Sequence, residues 1–218
     1  MQTATQNQQI NQQINCPKRA IQERDNFCSK NLLNLTSYYT ESPDDDIHHK
    51  PGNTLSDLPK GLQNFGGIDF DIRGVIQLAG HRSLEITTQV YPQKITGIPV
   101  DLNGKSIHFL HASAWNIDFE PMEIGYYQIN YSDGEYEQIK LAYRLNIWDW
   151  WSSENDALLN PIWKGKNQRT TAINQHVRLF LLTWENPYPE KQINSIDLFS
   201  NCEGPGPMIV AISITDNQ

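Results

Sequence analysis

Cysteine is scarce and oddly numbered: Cys16, Cys28 and Cys202 are the only three in 218 residues, and no two stand in a CxxC spacing. That excludes a disulfide framework and a structural zinc site of ordinary ligand spacing, so free thiols are expected. A single Cys16–Cys28 bridge stays open only for an oxidising compartment. Long apolar runs are also missing, and none approaches the ~20 residues that a membrane helix needs. Met1–Asn15 carries neither Lys nor Arg and no apolar core, so it is no secretory leader. The expected location is cytoplasmic, or secreted if a signal has been removed. Positive charge is in deficit, with 17 Lys+Arg against 25 Asp+Glu and a net charge of −8. A field of that sign repels phosphate, so neither nucleic acid nor membrane is an expected partner. The chain has no GxSxG, no phosphate-cradling glycine loop, no HExxH, no dinucleotide fingerprint and no repeat of fixed period.

What the chain does have is aromatic side chains (6 Trp, 9 Tyr and 7 Phe) and period-two alternation. Phe70–Leu78 places Phe70, Ile72, Ile76 and Leu78 on one face, and Tyr127, Ile129 and Tyr131 share a face within Ile124–Tyr131. Such alternation marks strands with one buried side. Ser132-Asp133-Gly134-Glu135 is a hairpin turn, because Asp-Gly tolerates positive φ, and Tyr136–Tyr143 is its return strand. Ile107–His111, Val177–Trp184, Ile193–Phe199 and Met208–Ile214 complete the set, with Asn31–Thr40 as a first strand or its approach. Glu41–Lys60 reads as a long polar loop. No segment carries a long helical stripe. The expected architecture is all-β: one antiparallel β-sandwich of jelly-roll type over residues 31–218. A flexible Gln/Asn-rich tail precedes it over residues 1–30, with a short helix around Arg19–Cys28 compatible with its mixed charges.

Several segments occur in a familiar order. They are Asn34-Leu35-Thr36 with Tyr38-Tyr39, Leu58-Pro59-Lys60-Gly61, the run Phe65–Gly74, and His108-Phe109-Leu110-His111-Ala112. Gly125-Tyr126-Tyr127, Tyr131-Ser132-Asp133-Gly134, Asp149-Trp150-Trp151, Thr183-Trp184-Glu185-Asn186-Pro187 and Ser195-Ile196-Asp197 follow. In this series the chain resembles a poorly characterised bacterial β-sandwich family, similar to galactose-binding and carbohydrate-binding-module domains. The resemblance implies a sandwich that binds a small molecule or carbohydrate, and it brings no catalytic residue with it. Where relatives often carry an aromatic residue in the acidic loop, this chain has Asp46-Ile47-His48-His49.

The candidate ligand-binding residues are Trp148, Trp150 and Trp151, whose indoles combine a broad apolar face with one N–H donor, together with Tyr127. Asp69, Asp71 and Arg73 form an alternating polar row. A surface ion pair is the favoured reading, and Asp69 with Arg73 as a clamp for a carboxylate or hydroxyl is the sharper one. His108 and His111 are three apart and face opposite sides of a strand; His111 shares the inward face and is expected to be a satisfied core histidine. If the protein is an enzyme, His108, Asp71 and Glu185 are the proton-moving candidates, in a cyclase or isomerase with a pocket inside the sandwich. Asp44-Asp45-Asp46 with His48-His49 lacks calcium-loop spacing and reads as a solvated acidic loop. The metal ligands are undetermined: no cofactor is certain, and a structural calcium held by distant residues is compatible with the sequence. Ligand binding leads, with catalysis and a protein-interaction module (including a homodimer) as the alternatives.

Overall fold

The computed structural model describes residues 21–87, 89–115, 121–152 and 159–216, and its architecture is all-β and antiparallel. In chain order the elements are β1 (Gly61–Phe65), β2 (Ile68–Ile72), β3 (Ile76–Gln77), α1 (Ser83–Ile86), β4 (Lys94–Leu102), β5 (Ser106–Ala114), β6 (Glu123–Tyr131) and β7 (Tyr136–Ala142). They continue with β8 (Trp151–Ser152), β9 (Trp163–Gly165), α2 (Gln168–Ala172), β10 (His176–Glu185), β11 (Ile193–Ser200) and β12 (Gly206–Thr215). One sheet has the order β3-β12-β5-β10-β8, with β9 also paired to β10; the second has the order β4-β11-β6-β7.

The two sheets meet across an apolar seam. Phe109 of β5 stacks on Tyr127 of β6 with ring centroids 4.3 Å apart. Every residue of β5 is buried, so this strand is covered on both faces. The face turned away from the second sheet is covered by the β1–β2 hairpin and the segment before it: β2 lies against β12, and Leu35, Ile47, Leu55, Leu58, Phe70 and Ile72 are sealed in the same core. Each such side chain removed from water contributes roughly 1.5–3 kcal/mol before entropy is counted. Residues 31–60 therefore do structural work that their polar composition hides.

Alternation located β6, β7, β10, β11 and β12 within a residue or two, and β5 with its end three residues short. Phe70–Leu78, expected as one strand, is instead two strands in different sheets. Pairing is interrupted over residues 73–74, and at Gly74 an added Cβ would sit 2.3 Å from the Tyr39 ring. Beyond the break, Ile76 and Gln77 pair with β12. Asn31–Thr40 contributes only the single bridge Leu32↔Ser213. Strand β4, absent from the expectation, carries Gly97 and Pro99 within it and pairs β11 through two register shifts. Over residues 21–28 there is no helix, only a turn closed by Cys28 N–H donating to the Asp25 carbonyl at 3.1 Å. Arg24 ties this segment to Asp71 at 3.4 Å. Residues 1–20, with Cys16, lie outside the described residues; Cys28 and Cys202 are free thiols.

The corner after β10 is fixed by one side chain. Asn186 Oδ1 accepts from the Tyr131 hydroxyl at 2.6 Å and from Tyr188 N–H at 3.0 Å, while its Nδ2 donates to the Gly104 carbonyl at 2.8 Å. It thereby joins β6, β10 and the β4–β5 turn.

Candidate functional site

The outward face of the second sheet is polar and open. Along β6, Tyr127, Ile129 and Tyr131 point inward, so Tyr126, Gln128 and Asn130 point outward, and none of these three is buried. Register aligns them in rows across the sheet: Lys140–Tyr126–Phe199, Gln138–Gln128–Asp197 and Tyr136–Asn130–Ser195. Their groups are already ordered by one another. Gln138 Nε2 donates to Gln128 Oε1 at 3.1 Å, and Gln128 Nε2 donates to Asn130 Oδ1 at 2.8 Å. Asn130 Nδ2 reaches Ser195 Oγ at 3.2 Å and Asp197 Oδ2 at 3.0 Å. The other Asp197 oxygen accepts from Gly97 N–H at 2.7 Å. That N–H comes from a bulge in β4, and Gly97 takes φ +73°, a conformation that side chains beyond glycine rarely adopt. Tyr126 stacks on Phe199 at 4.6 Å beside this ladder. The result is a preset line of amides, a hydroxyl and one carboxylate, each amide keeping donors or lone pairs for a further partner.

A second cluster is buried where β3, the 41–49 segment, Tyr91 and the end of β5 meet. Glu41 is 6% exposed, and its Oε1 accepts from the Tyr91 hydroxyl. Burial pushes its carboxyl up to about 7, opposed by hydrogen bonds from Tyr91 and the His48 backbone and reinforced by the Asp45 charge. His48 is ringed by Trp115, Trp150 and Tyr91, with centroids at 4.7, 5.7 and 5.9 Å. Burial holds its pKa down at about 4, although its hydrogen bond to Gln77 works the other way. Gln77 Nε2 faces the carbonyls of Leu78, Gly206 and Pro207, so its oxygen must turn to His48 Nε2, 3.3 Å away. His48 therefore carries its proton on Nε2. His48, His49 and Trp115 all hold left-handed φ angles of 61°, 54° and 65°. Each costs such a residue on the order of 1–2 kcal/mol.

These groups give opposing pH dependences. The fold keeps a proton on Glu41 between about 4.5 and 7 that the unfolded chain releases, so this group's stabilisation is present below 4.5 and lost as pH rises through 7. His48 and fully buried His111 are neutral down to about 4, whereas the unfolded chain takes up these protons near 6.5. Their effect is to lower stability as pH falls from 6.5 towards 4. Glu41→Gln removes only the first effect. Relative to the parent, this variant gains roughly 2–3 kcal/mol between about pH 5 and about pH 8 in urea unfolding; a pH-independent difference would contradict the assignment.

The residues singled out from sequence do not converge on one site. Trp148 and Trp150 are core; Trp148 lies beneath the Arg144 and Arg178 guanidinium groups at 5.2 and 5.3 Å. Trp151 is half-buried, with its indole nitrogen enclosed and unpartnered. Tyr127 is core, and its hydroxyl pairs with His111 Nδ1 at 2.9 Å. Asp71 and Arg73 form a buried pair at 2.7 Å, a correction to the surface ion pair expected, while exposed Asp69 accepts from Asn64 at 2.7 Å. His108 is held between the hydroxyls of Thr183 and Thr215 at 2.9 and 2.7 Å. Its neighbour across β5 and β10, exposed Glu185, accepts from Ser106 Oγ at 2.8 Å. The acidic loop is solvated only in part: Asp44 is exposed, paired with Lys60 at 2.6 Å, but His48 is inside. Among the described residues, no group of three or more His, Cys, Asp or Glu side chains converges to hold a metal ion.

Sequence reasoning passed over both assemblies. The open ladder was within reach, since Tyr126, Gln128 and Asn130 are the complement of the inward set already recognised. The buried cluster was not, because its members come from five separate stretches of chain. The chain matches no protein-family model and no curated protein, so its chemistry has to be read from its own side chains.

Proposed function

We propose that the protein binds a carbohydrate on the open face of its four-stranded sheet. The observation that supports this reading is the cross-strand ladder Gln138–Gln128–Asn130–Asp197 beside the Tyr126–Phe199 pair. A sugar presents alternating hydroxyl donors and acceptors and an apolar ring face. Planar amides and a carboxylate answer the hydroxyls, and aromatic edges and faces answer the ring. The groups are fixed before the ligand arrives, so little side-chain ordering has to be supplied on binding. An almost neutral row suits a neutral glycan better than a phosphorylated one, given the overall charge of −8.

A glycan array followed by calorimetry tests the reading. Asp197→Ala removes the one charged acceptor of the ladder, and a hydrogen bond to a charged group contributes ~1.5–3 kcal/mol. The expected loss is about 10- to 100-fold in affinity with an unchanged circular dichroism spectrum. No glycan bound, or affinity indifferent to Asp197→Ala and Gln128→Ala, would sink it.

A further inference from the structure

We propose that Thr215 and His108 form a nucleophile–base pair that accepts an acyl group from a small activated ester. The pair stands independently of the glycan reading, because it is built on the other sheet and on that sheet's outer side. Phe109 stacks on the second sheet, so His108, its neighbour in β5, faces away from it. Register sets six side chains on that side in two rows, Ser213–His108–Thr183 and Thr215–Ser106–Glu185. His108 and Ser106 are buried, whereas Thr183, Glu185 and Thr215 are exposed. The base is thus shielded while the hydroxyl beside it meets solvent.

His108 is held at both ring nitrogens. Nδ1 lies 2.9 Å from Thr183 Oγ1, and Nε2 lies 2.7 Å from Thr215 Oγ1. Burial lowers the pKa of the ring, against the opposing charge of Glu185, so the imidazole is neutral at pH 7. A neutral ring has one N–H and one bare nitrogen, so one threonine accepts from it and the other donates to it. The longer contact has the usual length for an N–H donor and the shorter that for an O–H donor. Thr183 therefore takes the Nδ1 proton and fixes the ring, and the Thr215 hydroxyl donates to bare Nε2. A base within hydrogen-bond reach, itself oriented by a third group, is the arrangement that activates a hydroxyl. Glu185 lies in the adjoining row, where its Oε2 accepts from Ser106 Oγ at 2.8 Å. Its charge favours the imidazolium that forms when Nε2 takes up a proton.

In the reaction, Thr215 Oγ1 bonds to the acyl carbon as its proton passes to His108 Nε2. The ester C–O bond breaks, and the leaving alcohol takes that proton from Nε2. Water then attacks the threonyl ester, and its proton passes through the same nitrogen to Thr215 Oγ1. The carboxylic acid departs and the pair is restored. An activated ester asks least of a site open to solvent, because its leaving group is expelled readily. The net charge of −8 favours neutral or cationic esters over anionic ones.

The test uses the full chain and p-nitrophenyl acetate, followed by stopped-flow absorbance and peptide mass spectrometry. A burst of p-nitrophenolate equal to the protein concentration is expected, with one acetyl group mapped to Thr215. Thr215→Val is expected to abolish the burst, and Thr215→Ser to keep it. His108→Gln is expected to slow it by about 100-fold, within the range for losing a general base. Thr183 is a positioning residue: Thr183→Val is expected to slow the burst less, and Thr183→Ser to restore it. Circular dichroism checks the fold of each variant, and the acetyl map of the parent chain decides the matter even where a variant does not fold. Acetylation confined to lysines overturns the proposal, as does an adduct on Thr183 or a burst that survives His108→Gln. Glycan affinity enters none of these readouts, so the two readings fail separately.

Discussion

Asp71→Ala is expected to destabilise the protein by about 3–5 kcal/mol, the range for removing one partner of a buried ion pair. Asp71 and Arg73 are 4% and 5% exposed and bonded at 2.7 Å, so the guanidinium left behind has neither water nor a carboxylate. Asp71 also receives Arg24 at 3.4 Å, and Arg73 donates to the Glu23 carbonyl. The substitution therefore loosens the 21–33 segment from the sheet as well as stranding a charge. Two measurements check it: the urea midpoint falls, and trypsin cuts after Arg24 faster than in the parent. A double replacement, Asp71→Leu with Arg73→Met, is expected to cost less than Asp71→Ala alone, because it removes both charges together. If the single change costs under about 1 kcal/mol, the pair is behaving as a solvent-exposed one.

The second large effect belongs to Gly125→Ala. An ideal Cβ there falls 2.1 Å from the Phe199 carbonyl oxygen, a backbone atom in the neighbouring strand. Flexible side chains can give way by some tenths of an ångström, but a strand held by its own ladder cannot. Accommodation requires β6 and β11 to part, and the expected cost is about 3 kcal/mol or more. Gly134→Ala is the control. It meets nothing within 4 Å, and its φ of +89° is its only difficulty, so about 1–2 kcal/mol is expected. Equilibrium unfolding separates the two kinds of glycine, and equal penalties would refute the steric account. Because Gly125 precedes Tyr126, a folded fraction of Gly125→Ala is also expected to lose glycan affinity.

How much of this could be read from the chain depended on whether the deciding contact was local. Alternation is local, and it exposed β5, β6, β7, β10, β11 and β12. It failed where pairing changes along the chain: what looks like one strand breaks at Gly74, over which the Tyr39 ring packs, and β4 hides its pairing behind Gly97 and Pro99. The indole cluster misled for a related reason. Trp148, Asp149, Trp150 and Trp151 are dense enough to suggest a surplus for ligands, yet the fold spends Trp148 under two arginines and Trp150 against His48. Histidine 48 follows three aspartates in sequence, and that company argues for water. Its burial is decided by Gln77, Tyr91 and Trp115, which no window around residue 48 contains.

Strand β4 has a consequence for how copies of this protein meet. It forms one margin of the four-stranded sheet, with two register irregularities and Pro99 along its length. A foreign strand seeking to prolong the sheet there finds a pyrrolidine ring in place of an amide proton, and a kinked rather than straight template. Polymerisation by sheet extension is thus obstructed on that side, and the opposite margin, β7, carries Glu137 and Lys140 to discourage it.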